Sequence, residues 1–271
     1  MESELFIEQP LSRIACFGGL YSNYLALQAA IDDALQLGCE QLFCLGDLGA
    51  FGPYPDRVFP LLQEYQVQCL QGNYDDSIGH QLDDCQCGYT DPRDNHFAKL
   101  SYDYTLAKTA EVNRDFLRSL PKLARLNMGQ QRLLLCHGSP RQTNEFLWES
   151  GTSSAFLEYL CEQYHCDVLV GTHSGIKWHR HLRDGKQFLN CGVLGRPEND
   201  GRTNVWYAIL SVDEQGGVQH QFRRVDYDYE RLAREMRSEG LPEEFVATVL
   251  TGYWTTCLEV LPGKERLLGK H

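Results

Sequence analysis

The sequence predicts an α/β fold built on mixed β-sheets with flanking helices. Three observations carry that expectation. Residues 12–70 alternate strand, helix, strand, helix, strand, an order that closes a parallel sheet through right-handed crossovers. Short strand-like runs dominate from 122 to 225, two pairs of them joined by the turn signals Asp184-Gly185 and Gly216-Gly217. Polar residues follow the ends of several strands, where α/β proteins hold ligands.

In chain order, residues 12–18 read as a strand and Gly18-Gly19 as a turn. A helix over 22–37 follows, with Leu25, Ala29, Ala30, Ala34 and Leu37 at helical spacing and Gly38 at its end. Ser22 and Asn23 stand at its start, as N-cap or as an anion site. Residues 41–45 are a strand, 55–65 a helix and 66–70 a third strand. The stretch 80–95 is polar and turn-rich, a loop insertion expected near the site. A helix is predicted over 96–118, stopping before Pro121. Strands then follow at 122–127, 131–136, 167–170, 177–182, 186–190, 204–212 and 217–225, with one helix over 153–164. The tail, 228–252, reads as two helices split at Gly240-Leu241-Pro242. Length favours a single domain over 1–271.

The net charge is −12. That argues against nucleic acid or an anionic membrane as partner, because both recruit positive charge. No apolar run reaches the ~18 residues of a membrane span, and Met1-Glu2-Ser3-Glu4 does not read as a signal peptide, so a cytoplasmic location is expected. Of 11 cysteines, Cys16, Cys44, Cys69, Cys136 and Cys191 end apolar runs and read as reduced core thiols. Cys85-x-Cys87 differs, since thiols one residue apart in a polar loop suit metal binding, oxidation or loop packing.

Four signatures lie just past strand ends: Gly46-Asp47, Gly72-Asn73-Tyr74-Asp75, Cys136-His137-Gly138-Ser139-Pro140 and Thr172-His173. Together they deliver a carboxylate, an amide oxygen and two imidazoles to one rim. Two oxygen and two nitrogen donors suit one divalent ion of the Mn, Fe, Zn or Ni kind. Arg93, Arg141 and Arg196 lie near these segments and are candidates for pairing with phosphate. Lys177-Trp178-His179-Arg180-His181 reads as a strand with solvated imidazoles.

At these motifs the chain resembles the calcineurin-like metallophosphoesterases, in their compact bacterial phosphodiesterase and diadenosine-tetraphosphatase-like branch. The likeness runs from Arg13 to about Gly252 and rests on GDLGAFGPYPDRV, GNYD, LRSLP, HGSP, LNCGVLGRP and the helices around GLPEE. It implies a four-layer α-β-β-α sandwich of two mixed sheets and a small phosphorylated substrate. It also implies two adjacent metal ions. One is held by an Asp-x-His motif and the second His of Gly-His-x-His. The other is held by the Asn of GNxD, the His of HG and the first His of Gly-His-x-His, with the Asp of GD bridging both.

Carried over residue by residue, the two halves fare differently. Gly19 and Tyr21 replace the Asp and His of the first motif, and Gly175 replaces the last His. Asp47, Asn73, His137 and His173 remain. The resemblance therefore implies one complete metal site, with Asp47 and His137 also in the catalytic centre; the competing reading is an altered second site supplied by Tyr21, a cysteine or the 80–95 loop. Tyr74 stands where relatives carry a catalytic His, and Asn23, Arg141 and Arg196 are candidate substrate contacts. Two functions follow. One is a phosphomonoester or phosphodiester hydrolase with a single ion, its substrate choice shaped by 80–95 and by Thr143 to Glu149. The other is a non-catalytic relative that binds a ligand or a protein.

Overall fold

The computed structural model describes residues 4–268; the outermost residues of the expected domain, 1–3 and 269–271, lie outside them. Two mixed sheets pack face to face. In the five-stranded sheet, β2 (Arg13–Phe17), β3 (Gln41–Cys44) and β4 (Gln68–Cys69) run parallel. They are linked by helices α1 (Tyr24–Gln36) and α2 (Val58–Glu64). The hairpin of β10 (Val205–Val212) and β11 (Val218–Val225) adds antiparallel to β2, giving the order β11-β10-β2-β3-β4.

The second sheet is six-stranded. It uses β1 (Glu4–Ile7), β5 (Leu123–Met128), β6 (Gln131–Cys136), β7 (Val168–Gly171), β8 (Trp178–His181) and β9 (Gln187–Asn190), in the order β1-β5-β6-β7-β9-β8. Helix α6 (Ser154–Gln163) makes the crossover between the parallel neighbours β6 and β7.

Alternation along each strand sorts side chains between layers. On β2, Ile14 and Cys16 face the other sheet, beside Phe43, Leu45, Leu135, Val170 and Leu189. Ala15 and Phe17 face the opposite way, against Leu27 and Ile31 of α1. The outer face of the six-stranded sheet buries Leu134, Leu169 and Phe188 against Leu157 and Leu160 of α6. Helix, sheet, sheet and helix are thus four layers. Both expected hairpin turns are present. The split tail is present as α7 (Tyr229–Ser238) and α8 (Glu243–Thr251), followed by a short helix, α9 (Gly263–Arg266). Among the described residues, no helix is long and apolar enough to cross a membrane.

Three expectations need correction. The polar stretch 80–95 is not all loop: α3 (Asn73–His80) runs into it, and α4 (Pro92–Lys108) already begins inside it. Asp91 caps α4 by accepting from the Arg93 and Asp94 N–H groups, and Pro92 at the first helical position needs no N–H partner. The single helix over 96–118 is two, α4 and α5 (Glu111–Ser119). The break is held from outside, because the Asp56 carboxylate accepts from the Ala110 N–H and the Asn113 side chain. On α1, the fully buried stripe is Ala26, Leu27, Ala30, Ile31 and Ala34, while Leu25, Ala29 and Leu37 are only partly buried.

Candidate metal centre

All four signatures lie at the carboxyl ends of strands, and both sheets contribute. Asp47 follows β3 and Asn73 follows β4, while His137 follows β6 and His173 follows β7. The sheets are packed so that these four ends meet at one rim. Asp47, Asn73, His137 and His173 are all buried. Asp47, His137 and His173 each offer one ligand atom, and these atoms lie within 4.8 Å of one another. His137 Nε2 is 3.3 Å from Asp47 Oδ2 and 3.1 Å from His173 Nδ1.

The tautomer of His137 is fixed by its surroundings. Its Nδ1 is 2.6 Å from the Leu45 carbonyl, which can only accept, so Nδ1 carries a proton and Nε2 is turned toward the cluster. Asn73 is fixed in the same way. Its Nδ2 donates to the Cys85 carbonyl at 2.7 Å and to Cys87 Sγ at 3.4 Å, while its Oδ1 is buried with no hydrogen-bond partner. A buried carbonyl oxygen left bare is costly, and it is the atom an amide offers to a cation.

Burial alone would raise the Asp47 carboxyl, but the His137 imidazole outweighs it and holds Asp47 below its usual range. Burial works against protonated His137 too, and the Asp47 carboxylate outweighs it and raises the imidazole. His173 is pushed down to about 3 by burial and by His137. It is therefore neutral, the ligating form of an imidazole. These donors fit a divalent ion: one carboxylate, one bare amide oxygen and two oriented imidazoles.

The backbone around the cluster is tightly constrained. Asp47 and His173 both adopt left-handed φ values, 58° and 60°, a conformation that collects at functional sites because surrounding structure must hold it. For Asp47 the support is Asp75, whose carboxylate accepts from the N–H groups of Asp47, Leu48 and Gly72 at 2.7, 3.0 and 2.8 Å. For His173 it is Asn190, which donates to the Thr172 carbonyl and to Ser174 Oγ. Gly72 is required by close approach, since a methyl group there would lie 2.3 Å from Asp47 Oδ1 and 2.6 Å from Asp47 N.

A pocket opens beside the cluster, lined by Asp47, His173 and Arg196 together with Tyr21, Tyr74, Phe97 and Phe245. Tyr74 is on its wall, but its hydroxyl is committed, 2.9 Å from Ser101 Oγ and 3.3 Å from the Ala98 carbonyl. Burial raises its pKa far above an ordinary phenol. Asn23 has no free polar atom. Its Oδ1 accepts the Ala26 N–H as the cap of α1, and its Nδ2 donates to the Leu194 carbonyl. Arg141 is half exposed, closed onto Glu145 and laid over the Phe156 ring. Arg93 donates to the Thr255 carbonyl. Of the three candidate arginines, only Arg196 lines the pocket.

Residues 81–91 and 143–149 both touch the site: Cys87 and Tyr89 line the pocket, and Phe146 reaches the His173 ring. Cys85 and Cys87 are joined as a disulfide against Asn73. Phe146 lies on the His173 ring at 4.3 Å. The five core cysteines are buried and unpaired, as their positions suggest. His179 stacks on His220 at 3.9 Å and also contacts His181.

Residues 13–215, more than half of the chain, match the calcineurin-like phosphoesterase superfamily domain. The chain belongs to that superfamily. A relative in Methanocaldococcus jannaschii, described as an uncharacterized protein, is 25% identical over 247 residues, covering 86% of this chain and 95% of its own. A metallophosphoesterase from Sphaerobacter thermophilus superposes with a TM-score of 0.67 at 23% identity, covering 89% of this chain and 99% of that one. A hypothetical protein from Pyrococcus horikoshii gives a TM-score of 0.72 at 19% identity, with 91% and 100% covered. These two likenesses show the fold, and the two-sheet architecture described above is theirs.

Within this superfamily the Asp-His-His group, the single one of its kind among the described residues, is the expected place for a divalent metal. Asp75, Trp254 and the Leu45 carbonyl were not legible as site elements. Asp75 at least stands inside the GNYD signature. Trp254 belongs to no motif and reaches the site from the tail.

Proposed function

We propose that the protein is a phosphoester hydrolase that works with one divalent ion, held by Asp47, Asn73, His137 and His173. The observation that carries this reading is the convergence of three buried ligand atoms within 4.8 Å, next to a buried Asn73 Oδ1 that nothing else uses. An ion bound there supplies Lewis-acid polarisation of a phosphoryl oxygen and an acidified water.

The chain's own residues do the rest. Leu45 and Asn73's partner Cys85 orient the donors. Asp75 holds the two turns that carry Asp47 and Asn73. Arg196 faces the phosphoryl group, and Tyr74 shapes the wall through its bond to Ser101. The segments 81–91 and 143–149 set substrate choice, and the disulfide at Cys85 and Cys87 keeps the Asn73 side in shape. Asn23 acts through position only, by tying α1 to the loop that precedes Arg196.

Two halves of a test decide it. Manganese-loaded protein is assayed with p-nitrophenyl phosphate and bis-p-nitrophenyl phosphate, beside a folded His137→Ala variant. Turnover that disappears with His137 supports the hydrolase. Metal bound at the site with no turnover of either ester replaces it with a ligand-binding role.

A further inference from the structure

Arg196 brings into the pocket a positive charge that has no ion-pair partner among the described residues. Arg196 is 7% exposed, and its Nε has no hydrogen-bond partner. Its guanidinium carbon stacks 3.6 Å from the Trp254 ring centroid and lies 5.9 Å from that of Tyr21. Its polar neighbours are the Cys257 thiol and the Tyr21 and Tyr89 phenols; among the described residues no carboxylate forms an ion pair with it. A buried cation without an anionic partner is unfavourable. Its position is nevertheless fixed, because Trp254 is pinned by its own Nε1–H to the Pro197 carbonyl and by its N–H to Asn199 Oδ1.

The surroundings are shaped for this cation. A methyl group at Gly175 would lie 3.5 Å from Arg196 Nη2 and 3.3 Å from Trp254 Cη2, so any longer side chain there meets the guanidinium and the indole. A methyl group at Gly19 would lie 2.4 Å from Tyr21 Cε1, and one at Gly195 only 2.2 Å from Tyr21 Cβ. Gly19, Tyr21, Gly175, Gly195 and Arg196 therefore fit one another as a set. Tyr21 and Arg196 line the cavity side by side, and the glycines leave them room.

We infer that Arg196 is a resident cation: its guanidinium lines the same pocket as Asp47 and His173 and grips the oxygens of a phosphoryl anion there, in place of a second metal ion. Guanidinium suits this task because its planar fork donates two parallel hydrogen bonds to an oxyanion and its charge cannot be titrated away. The inference rests on the one-ion reading above.

The test is calorimetric titration of inorganic phosphate into manganese-loaded protein, with metal content measured on the same samples. Arg196→Met should keep one equivalent of metal and bind phosphate at least tenfold more weakly, and Arg196→Lys should recover part of the loss. Phosphate should also change the emission of Trp254, a response absent from Trp254→Phe. If Arg196→Met holds one metal and binds phosphate like the parent, the inference is overturned and the one-ion reading stands. Two equivalents in the parent protein overturn the one-ion reading itself. Should Arg196→Met not fold, Arg196→Lys decides: parental affinity together with unchanged Trp254 emission rejects the role.

Discussion

Replacing Gly72 by Ala tests how closely the backbone must approach the metal centre. The φ and ψ at Gly72 are −85° and 175°, values any residue adopts, so the effect is purely steric. The added methyl would lie 2.6 Å from Asp47 N, about 0.8 Å short of the 3.4 Å at which ordinary contact begins, and 3.0 Å from His137 Cε1. Asp47 N is backbone, held by Asp75, so it has no flexible end that could swing aside. The strain should cost about 1–3 kcal/mol, or roughly 2–10 °C in Tm for a chain of this size. Metal ligands tolerate displacements of only ~0.2 Å, so shifting Asp47 by several times that should weaken manganese binding by at least tenfold. The assay is thermal unfolding by circular dichroism, with manganese titration on the same samples. Gly263→Ala is the control, because nothing lies within 4 Å of that position. A Gly72→Ala protein with parental Tm and metal affinity would refute the argument that this turn is packed to its limit.

Other predictions follow from the same geometry. Asn23→Ala should lower stability by about 1.5–3 kcal/mol in a urea unfolding curve, through loss of a helix cap and a buried hydrogen bond; Arg141→Ala should change stability by little. Phe245 packs on Phe51 at 4.7 Å and on Phe97 at 5.9 Å, so Phe245→Ala should cost about 3–5 kcal/mol in a urea unfolding curve. Burial and the neighbouring His179 and His181 push His220 down to about 4, below the ~6.5 of an unfolded histidine. Its contribution is therefore fully present above pH 6.5 and is lost as pH falls toward 4, by about 1 kcal/mol after allowing for solvent screening. The difference in urea midpoint between the parent and His220→Phe, measured at pH 7.5 and pH 5, reads it directly.

The parts of the fold that were readable from sequence are those set by local chemistry. Asp184-Gly185 and Gly216-Gly217 announce hairpins because Asp184, Gly185 and Gly216 take left-handed φ values that let the chain reverse in a short loop, and the split at Gly240-Leu241-Pro242 ends one helix and starts another. What escaped depends on distant partners. The break before α5 is made by Asp56, more than fifty residues away in sequence. Strand β1 exists because Glu4–Ile7 lines up with Leu123–Leu126, and its exposed Phe6 gives no alternating signal.

The site divides in the same way. Asp47, Asn73, His137 and His173 each follow a strand end, so topology brings them together with little help from elsewhere. Arg196 and Arg141 look alike in sequence. Only folding shows that one stacks on Trp254 inside the pocket while the other is spent on Glu145 at the surface.

The most direct measurement is anomalous X-ray scattering from crystals grown with manganese, with elemental analysis of the same preparation. One anomalous peak among Asp47, Asn73, His137 and His173, and one equivalent per chain, is the expected result. A second peak between Tyr21 and Gly175, or an ion held by a different set of side chains, contradicts the account.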